Sequence, residues 1–295
     1  MRPLGIGLAG LGRWGRRYLE TLKQLPGVEL RRCADPDAAA RSAAGPTPVV
    51  ADFASLLADE AIRAVVIATP PDTHYALACA ALESGRDVLV EKPLAATATE
   101  ASRLSALAQQ RGLVLAVGHT ALYTQGYARL RQQLECGNLG CIRRAVAVRT
   151  SSGPTRPPAT DGVLADLAGH DIAIALTLLG PARSGRAWRL HPTTCRYRLD
   201  FASGARLDGI AAWCSPPHAR CFTLVGTRAV GRTDENRTSI TPAPADSRQS
   251  PLWRQCADFV TCCRTRSAPQ SDGRLGAAVV ATLEEIAPPA PKRSR

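Results

Sequence analysis

The sequence predicts an α/β fold in two parts: a doubly wound parallel sheet over residues 1–118, then an α+β part over residues 119–287 built on an open, largely antiparallel sheet. Three observations predict it. Short apolar and β-branched runs alternate with helical patterns up to about residue 118, as in a parallel sheet covered on both faces. Beyond that point consecutive strand patterns follow at hairpin spacing, with turns such as Ser203-Gly204 between them. The composition, 45% hydrophobic and 21% charged over 295 residues, suits two ordinary cores rather than a disordered chain.

The first strand, Leu4 to Ala9, runs into Gly10-Leu11-Gly12-Arg13-Trp14-Gly15, a G-x-G-x-x-G pattern. Gly10 permits the tight turn, Gly12 lets backbone approach a pyrophosphate, and Gly15 lets the next helix pack against the strand. That helix carries Tyr18, Leu19, Leu22 and Leu25 on one face, and its free N-terminal amides suit phosphate. After Pro26-Gly27 a second strand, Val28 to Ala34, ends at Asp35, twenty positions after Gly15. An acid there accepts hydrogen bonds from adenosine ribose hydroxyls, which predicts a dinucleotide and favours NAD over NADP. NADP stays open because Arg31, Arg32 and Arg41 are near enough in sequence to reach a 2′-phosphate.

Next come a short strand near residues 48–51, a helix over 53–58, and the run Ala64 to Ala68, which stops at Thr69-Pro70-Pro71. A helix from Asp72 or Thr73 to Ser84 follows, then the strand Asp87 to Val90, a helix Thr97 to Arg111 and the strand Leu113 to Val117. The Thr69 loop and the Glu91-Lys92-Pro93 loop leave C-terminal strand ends, the edge where ligands bind in open α/β sheets. The chain has only three lysines, Lys23, Lys92 and Lys292, among many arginines. Arginine keeps its proton near neutral pH whereas lysine can be tuned by its surroundings, so a lysine at a strand end invites a chemical role.

In the second part the patterns read as a helix Gln125 to Cys136, a strand Ile142 to Thr150, a Pro/Gly-rich loop Ser151 to Pro158, and an apolar helix from about Asp161 to Leu179. Strands follow around 184–191, 195–201, 205–213 and 220–225, then a polar loop over 232–250 with room for one short strand. Two helices, 252–264 and 272–285, precede a tail over 288–295 expected to be disordered. Asp166 and His170, four apart, share one helix face and could relay a proton; an ordinary surface pair is the competing reading.

No apolar stretch approaches the ~20 residues of a membrane span, and the N-terminal apolar run belongs to the glycine fingerprint rather than to a leader, so a cytoplasmic protein is expected. The ten cysteines include no C-x-x-C, which favours free thiols over disulfides or a metal site. The net charge of +12 fits either codon composition or an electropositive cleft for an anionic sugar or nucleotide sugar; no nucleic-acid-binding motif accompanies it.

Taken together, the chain resembles the Gfo/Idh/MocA oxidoreductase family over nearly its whole length. The residues that carry the likeness are Gly10 to Gly15, Ala34-Asp35-Pro36, Thr69-Pro70-Pro71 with His74, Glu91-Lys92-Pro93, Gly118-His119, Asn138-Leu139-Gly140, and Asp166 with His170 before Leu178-Leu179-Gly180. The resemblance implies a Rossmann domain plus a C-terminal α+β domain whose open sheet mediates a homodimer or homotetramer. It implies NAD, with NADP as the alternative, held by Gly10, Gly12, Arg13, Trp14, Gly15, Asp35, Thr69, Pro70, His74, Glu91 and Lys92. It further implies a hydride transfer to or from a sugar, nucleotide sugar or cyclitol, with Lys92, His170 and Asp166 catalytic, and no metal. His119, Tyr123 and Arg156 join Lys92, Asp166 and His170 as candidate substrate contacts, core packing being the competing reading for His119. The chain departs from the family pattern where Tyr123-Thr124-Gln125 stands in place of an aromatic-Asn-Pro sequence. Two rival readings are a cofactor-binding sensor without turnover, and a relative of different chemistry, such as an imine reductase or an NAD-dependent glycosidase.

Overall fold

A computed structural model describes residues 2–42, 44–152, 162–214, 219–234 and 249–287. Most of the loop Ser151 to Pro158 with Arg156, most of the polar segment 232–250, and the tail 288–295 lie outside the described residues.

Contacts divide the chain into two compact units, Met1–Tyr123 with Ala245–Val280, and Thr124–Pro244 with Ala281–Arg295. The sequence reading had a single crossing near residue 118. Here the chain returns to the first unit near its C-terminus.

The first unit holds β1 (Leu4–Ala9), α1 (Arg13–Gln24), β2 (Val28–Ala34), α2 (Ala38–Ser42), β3 (Val49–Val50), α3 (Phe53–Leu57), β4 (Ala64–Ile67), α4 (His74–Glu83), β5 (Asp87–Val90), α5 (Ala98–Gln110) and β6 (Leu115–Val117). Its strands are all parallel, in the order β3-β2-β1-β4-β5-β6. The order reverses between β1 and β4, and β1, β4 and β5 end at the loops singled out above. Strands β4 and β5 are buried at every residue, which is why they read as unbroken apolar runs rather than alternating ones. Helix α5 starts in a capping box, the Thr97 side chain accepting from the Glu100 amide while the Glu100 side chain accepts from the Thr97 amide.

The second unit begins with α6 (Gln125–Glu135) and β7 (Ile142–Ser151), then a π-helical turn over Leu164–Ala168 that leads into α7 (Gly169–Leu179). Strands β8 (Ala182–His191), β9 (Thr194–Phe201), β10 (Arg206–Trp213), β11 (Arg220–Gly226) and β12 (Val230–Asp234) follow. They form a mixed sheet of order β12-β11-β7-β10-β9-β8, antiparallel except where β10 pairs parallel with β7. Helix α7 packs on β7, whose Ala145, Ala147 and Arg149 are buried, while Val146 and Val148 on the other face are only partly so. The helix expected from about Asp161 to Leu179 is present from Gly162 on, but over Leu164–Ala168 it passes through a π-helical turn, which holds one residue more than an α turn.

Helices α8 (Pro251–Thr265) and α9 (Gly273–Ile286) close the chain. Ser250 caps α8 through the Trp253 amide, with Pro251 opening the helix. Cys256, Phe259, Val260, Cys262 and Cys263 of α8 join Leu8, Leu11, Tyr18 and Leu22 in one core cluster, so α8 belongs to the parallel sheet's unit. The apolar spacing that made α8 legible as a helix said nothing of which sheet it would cover. All ten cysteines are free thiols.

Candidate active site

The glycine loop after β1 has the shape of a phosphate cradle. Gly10 sits at φ +90, where a Cβ would fall 2.6 Å from the Ala68 carbonyl oxygen, and a Cβ on Gly15 would fall 1.9 Å from that of Gly10. At Gly12, by contrast, an added Cβ meets nothing within 4 Å. The two outer glycines are thus demanded by protein atoms, while the middle one borders open space at the start of α1, where amide N–H groups and the helix dipole favour an anion. A pyrophosphate fits there. Arg13 is exposed at the helix start, and Trp14 beside it stacks under Arg17, whose guanidinium carbon lies 4.7 Å from the ring centre.

Asp35 is fixed against this loop from the end of β2. Its Oδ2 accepts from the Leu11 amide at 2.7 Å and its Oδ1 from the Asp37 amide at 2.9 Å, so the carboxylate is held beside the glycine turn with lone pairs left for two ribose hydroxyls. The three arginines that could have met a 2′-phosphate are engaged otherwise. Arg31 pairs with Glu29 and Asp59, Arg32 donates to the Ser55 carbonyl, and Arg41 to the carbonyls of Asp35 and Pro36. Of the three, only Arg31 is paired with acids, while Arg41 brings its cation to the backbone beside Asp35.

The loops after β4 and β5 are joined by His74. Its ring lies fully inside the protein, Nδ1 2.7 Å from the Pro93 carbonyl oxygen and Nε2 3.0 Å from that of Thr69. Burial pushes its pKa down, opposed by those carbonyls. His74, expected at the cofactor, ties the Thr69-Pro70 loop to the Glu91-Lys92-Pro93 loop. Thr73 reinforces the first loop, its hydroxyl 2.7 Å from both the Thr69 hydroxyl and the Pro70 carbonyl.

Glu91 is likewise internal, 6% exposed, accepting from the Tyr18 hydroxyl at 2.8 Å and from the Lys92 amide at 3.0 Å. Burial raises its pKa against those two bonds and the Lys92 charge. Expected to touch cofactor, it fixes the backbone that presents Lys92, whose side chain is only half-buried. Tyr18 was noted in the sequence only as an apolar helix position, and its hydroxyl's partner 73 residues away left no local signal.

His119 follows β6 and is 2% exposed, with Nδ1 3.0 Å from the Ser271 hydroxyl. Burial first, and the Lys92 charge second, push its pKa down to about 3, so it is a neutral imidazole near pH 7. Tyr123 donates to Asp258 of α8 at 2.7 Å, and Asp258 also accepts from the Gln270 amide. Both residues, expected as substrate contacts, are buried in the first unit's interior, where they anchor the returning segment.

Asp166 and His170 lie in the second unit, at the π-helical turn and the start of α7. Both side chains are half-buried. The Trp213 indole N–H, at the end of β10, donates to Asp166 Oδ2 at 3.0 Å. The sequence reading missed Trp213; the available signal was a tryptophan at a strand's last position, in a chain with four of them. π-Helical turns concentrate at functional sites. Among the described residues no group of three or more His, Cys, Asp or Glu side chains could hold a metal ion.

Comparisons with known proteins bear on the family and the fold. A sequence profile of the family described as "Oxidoreductase family, NAD-binding Rossmann fold" matches residues 4–119. UDP-N-acetylglucosamine 3-dehydrogenase of Acidithiobacillus ferrooxidans is 35% identical over 234 residues, covering 78% of this chain and 68% of that protein. Inositol 2-dehydrogenase 1 of Saccharopolyspora erythraea is 36% identical over 153 residues, covering 47% and 45%. The chain thus spans just over two thirds of the first relative and under half of the second. Among solved structures, GenD2 from gentamicin A biosynthesis in complex with NAD superposes with a TM-score of 0.88 at 26% identity, covering 97% of this chain and 93% of that one.

Proposed function

This chain belongs to the Gfo/Idh/MocA oxidoreductase family, with its NAD-binding Rossmann fold, and on that premise we propose that it transfers a hydride between NAD and a secondary alcohol or ketone of a sugar, nucleotide sugar or cyclitol. The observation that carries the reading is the pairing, within one unit, of an open glycine cradle beside Asp35 with Lys92 presented at the same C-terminal sheet edge.

Bound NAD supplies the hydride acceptor or donor. The amides around Gly12 and Arg13 hold its pyrophosphate, and Asp35 accepts its ribose hydroxyls, which selects against a 2′-phosphate. Lys92 places a cation against the substrate oxygen and so stabilises alkoxide character as it develops. His170 takes the hydroxyl proton in oxidation and returns it in reduction, with Asp166 orienting the ring or holding a neighbouring hydroxyl. Substrates of this class are named for the relatives above, and the positive charge of the chain favours an anionic one.

We place the protein in the cytoplasm, since ten free thiols suit a reducing compartment. Among the described residues no helix is long and apolar enough to cross a membrane. The only partly buried outer face of the second sheet, with Val146, Val148 and Ile210, supports a homodimer or homotetramer.

Fluorescence titration with NADH and NADPH, then a turnover screen over sugars, nucleotide sugars and cyclitols, tests the reading. NADH is expected to bind at least tenfold tighter than NADPH, and Lys92→Ala and His170→Ala should each lower kcat by ~100-fold or more with cofactor affinity retained. Absence of binding to either cofactor removes the proposal, and full activity in both variants removes the residue roles.

A further inference from the structure

Helix α7 buries most of its first two turns, Gly169, Ile172, Ala173, Ile174 and Ala175 together with the one charged residue Asp171. Hydrophobic burial is non-directional, so it does little to fix how such a helix is rotated about its axis. The preceding π-helical turn sharpens the problem, because it carries one residue more than an α turn, and a slip of one residue swings every following side chain by about 100°. A helix entered without that extra residue would turn His170 away from where it now stands.

Two polar residues of α7 tie it to neighbouring elements: Thr177, which accepts from the Tyr127 hydroxyl of α6 at 3.2 Å, and the buried Asp171. Asp171, 1% exposed, accepts on Oδ1 from Arg149 Nε at 2.9 Å and from Arg149 Nη2 at 2.8 Å, and on Oδ2 from the Tyr197 hydroxyl at 3.2 Å. Arg149 lies in β7 and Tyr197 in β9, with β10 between them. Gly209 of β10 makes room for the tyrosine, since a Cβ there would fall 2.0 Å from the ring. Both partners of Asp171 are thus rooted in the sheet. Apolar residues of similar volume usually serve stability as well as a buried ion pair does; the best-attested use of such a pair is to specify register.

We propose that Asp171 is a positioning residue: its buried bonds to Arg149 and Tyr197 lock the rotation of α7 and so aim His170, one residue earlier, at the reacting group. The inference rests on the reading of His170 as the proton carrier. Asp166, held by Trp213 from β10 on the other side of His170, completes a segment fixed at both ends by strand side chains.

The test is the double variant Arg149→Met/Asp171→Leu, which replaces the ion pair by apolar volume, compared with His170→Ala and with all three changes combined. The double variant is expected to keep wild-type NADH affinity and substrate KM within threefold while kcat falls at least 30-fold, and to cost nothing further in kcat once His170 is alanine. Wild-type turnover in His170→Ala overturns the underlying reading. A strong loss in His170→Ala with kcat in the double variant within threefold of wild type overturns the positioning role alone. So does a loss that multiplies with that of His170→Ala. If the double variant does not fold, Tyr197→Phe decides, since it removes one hydroxyl and keeps the ring. A three- to tenfold fall in kcat that vanishes in the His170→Ala background supports the role, and unchanged kcat overturns it.

Discussion

Tyr18 of α1 and Glu91 at the end of β5, 73 residues apart in sequence, meet through a 2.8 Å hydrogen bond in the interior of the first unit. The bond joins the helix that opens at the phosphate cradle to the backbone that presents Lys92. Two ends of the proposed cofactor site are thereby tied by one buried contact. Tyr18→Phe leaves a carboxylate oxygen buried without that donor, which costs about 1–3 kcal/mol. Urea unfolding should read this as a lower midpoint at unchanged m-value, with NADH affinity also reduced. A midpoint equal to wild type would mean that Glu91 finds another partner.

The two kinds of glycine in the cradle make separable predictions. Gly15→Ala drives a Cβ into the Gly10 carbonyl, so both stability and NADH binding should fall. Gly12→Ala meets no protein atom and the residue's φ of -66 suits any amino acid, so stability should fall only by the loss of a glycine N-cap, about 1 kcal/mol. Cofactor affinity should nonetheless drop at least tenfold, about 1.4 kcal/mol, because the methyl takes the space of the pyrophosphate. Paired thermal melts and NADH titrations check this. Normal affinity in Gly12→Ala would move the phosphates elsewhere.

His119 gives the fold a pH dependence whose sign is fixed. Its pKa is about 3 in the folded chain against 6.5 unfolded, so between those values the unfolded state binds more protons. Stability from this group is present above pH 6.5 and is lost as pH falls toward 3, at up to about 1.4 kcal/mol per pH unit. Glu91 acts oppositely, its raised pKa contributing stability at low pH that is lost as pH rises through the folded value. Comparing wild type with His119→Gln isolates the histidine. Urea midpoints from pH 4 to 8 should show a shallower acid slope in the variant, and identical slopes would mean His119 is already protonated in the fold.

The parallel half of the fold was legible because its signals are local: glycines at fixed offsets, apolar runs ended by Thr69-Pro70 and Glu91-Lys92-Pro93, and an acid after β2. Its chemistry was less so. The family resemblance placed His74, Glu91, His119 and Tyr123 near ligand, with core packing the competing reading for His119, and only the fold gives the interior partners that each one holds. What sequence spacing could not carry is pairing at a distance. The parallel seam between β7 and β10, the return of α8 to the first sheet, and the bonds Arg149–Asp171 and Trp213–Asp166 each join residues that no periodicity relates. The π-helical turn is a further case: its extra residue leaves the apolar pattern of 161–179 unbroken, so it reads as plain helix.

Trp213 supplies the last prediction. Its indole N–H reaches a half-buried carboxylate across 3.0 Å, and Asp166 sits in a turn that lacks the regular α-helical bonding pattern. A tryptophan can donate but not accept, so the contact orients Asp166 without competing for its proton. Trp213→Phe keeps the aromatic volume and removes the donor, a change of about 1–3 kcal/mol for an ionised acceptor. If that energy holds Asp166 toward His170 or substrate, kcat should fall roughly tenfold while NADH affinity, which belongs to the other unit, stays within twofold. Trp213→His, which retains a ring N–H, should recover part of the loss. Equal activity in wild type and Trp213→Phe would show that Asp166 is oriented by the helix alone.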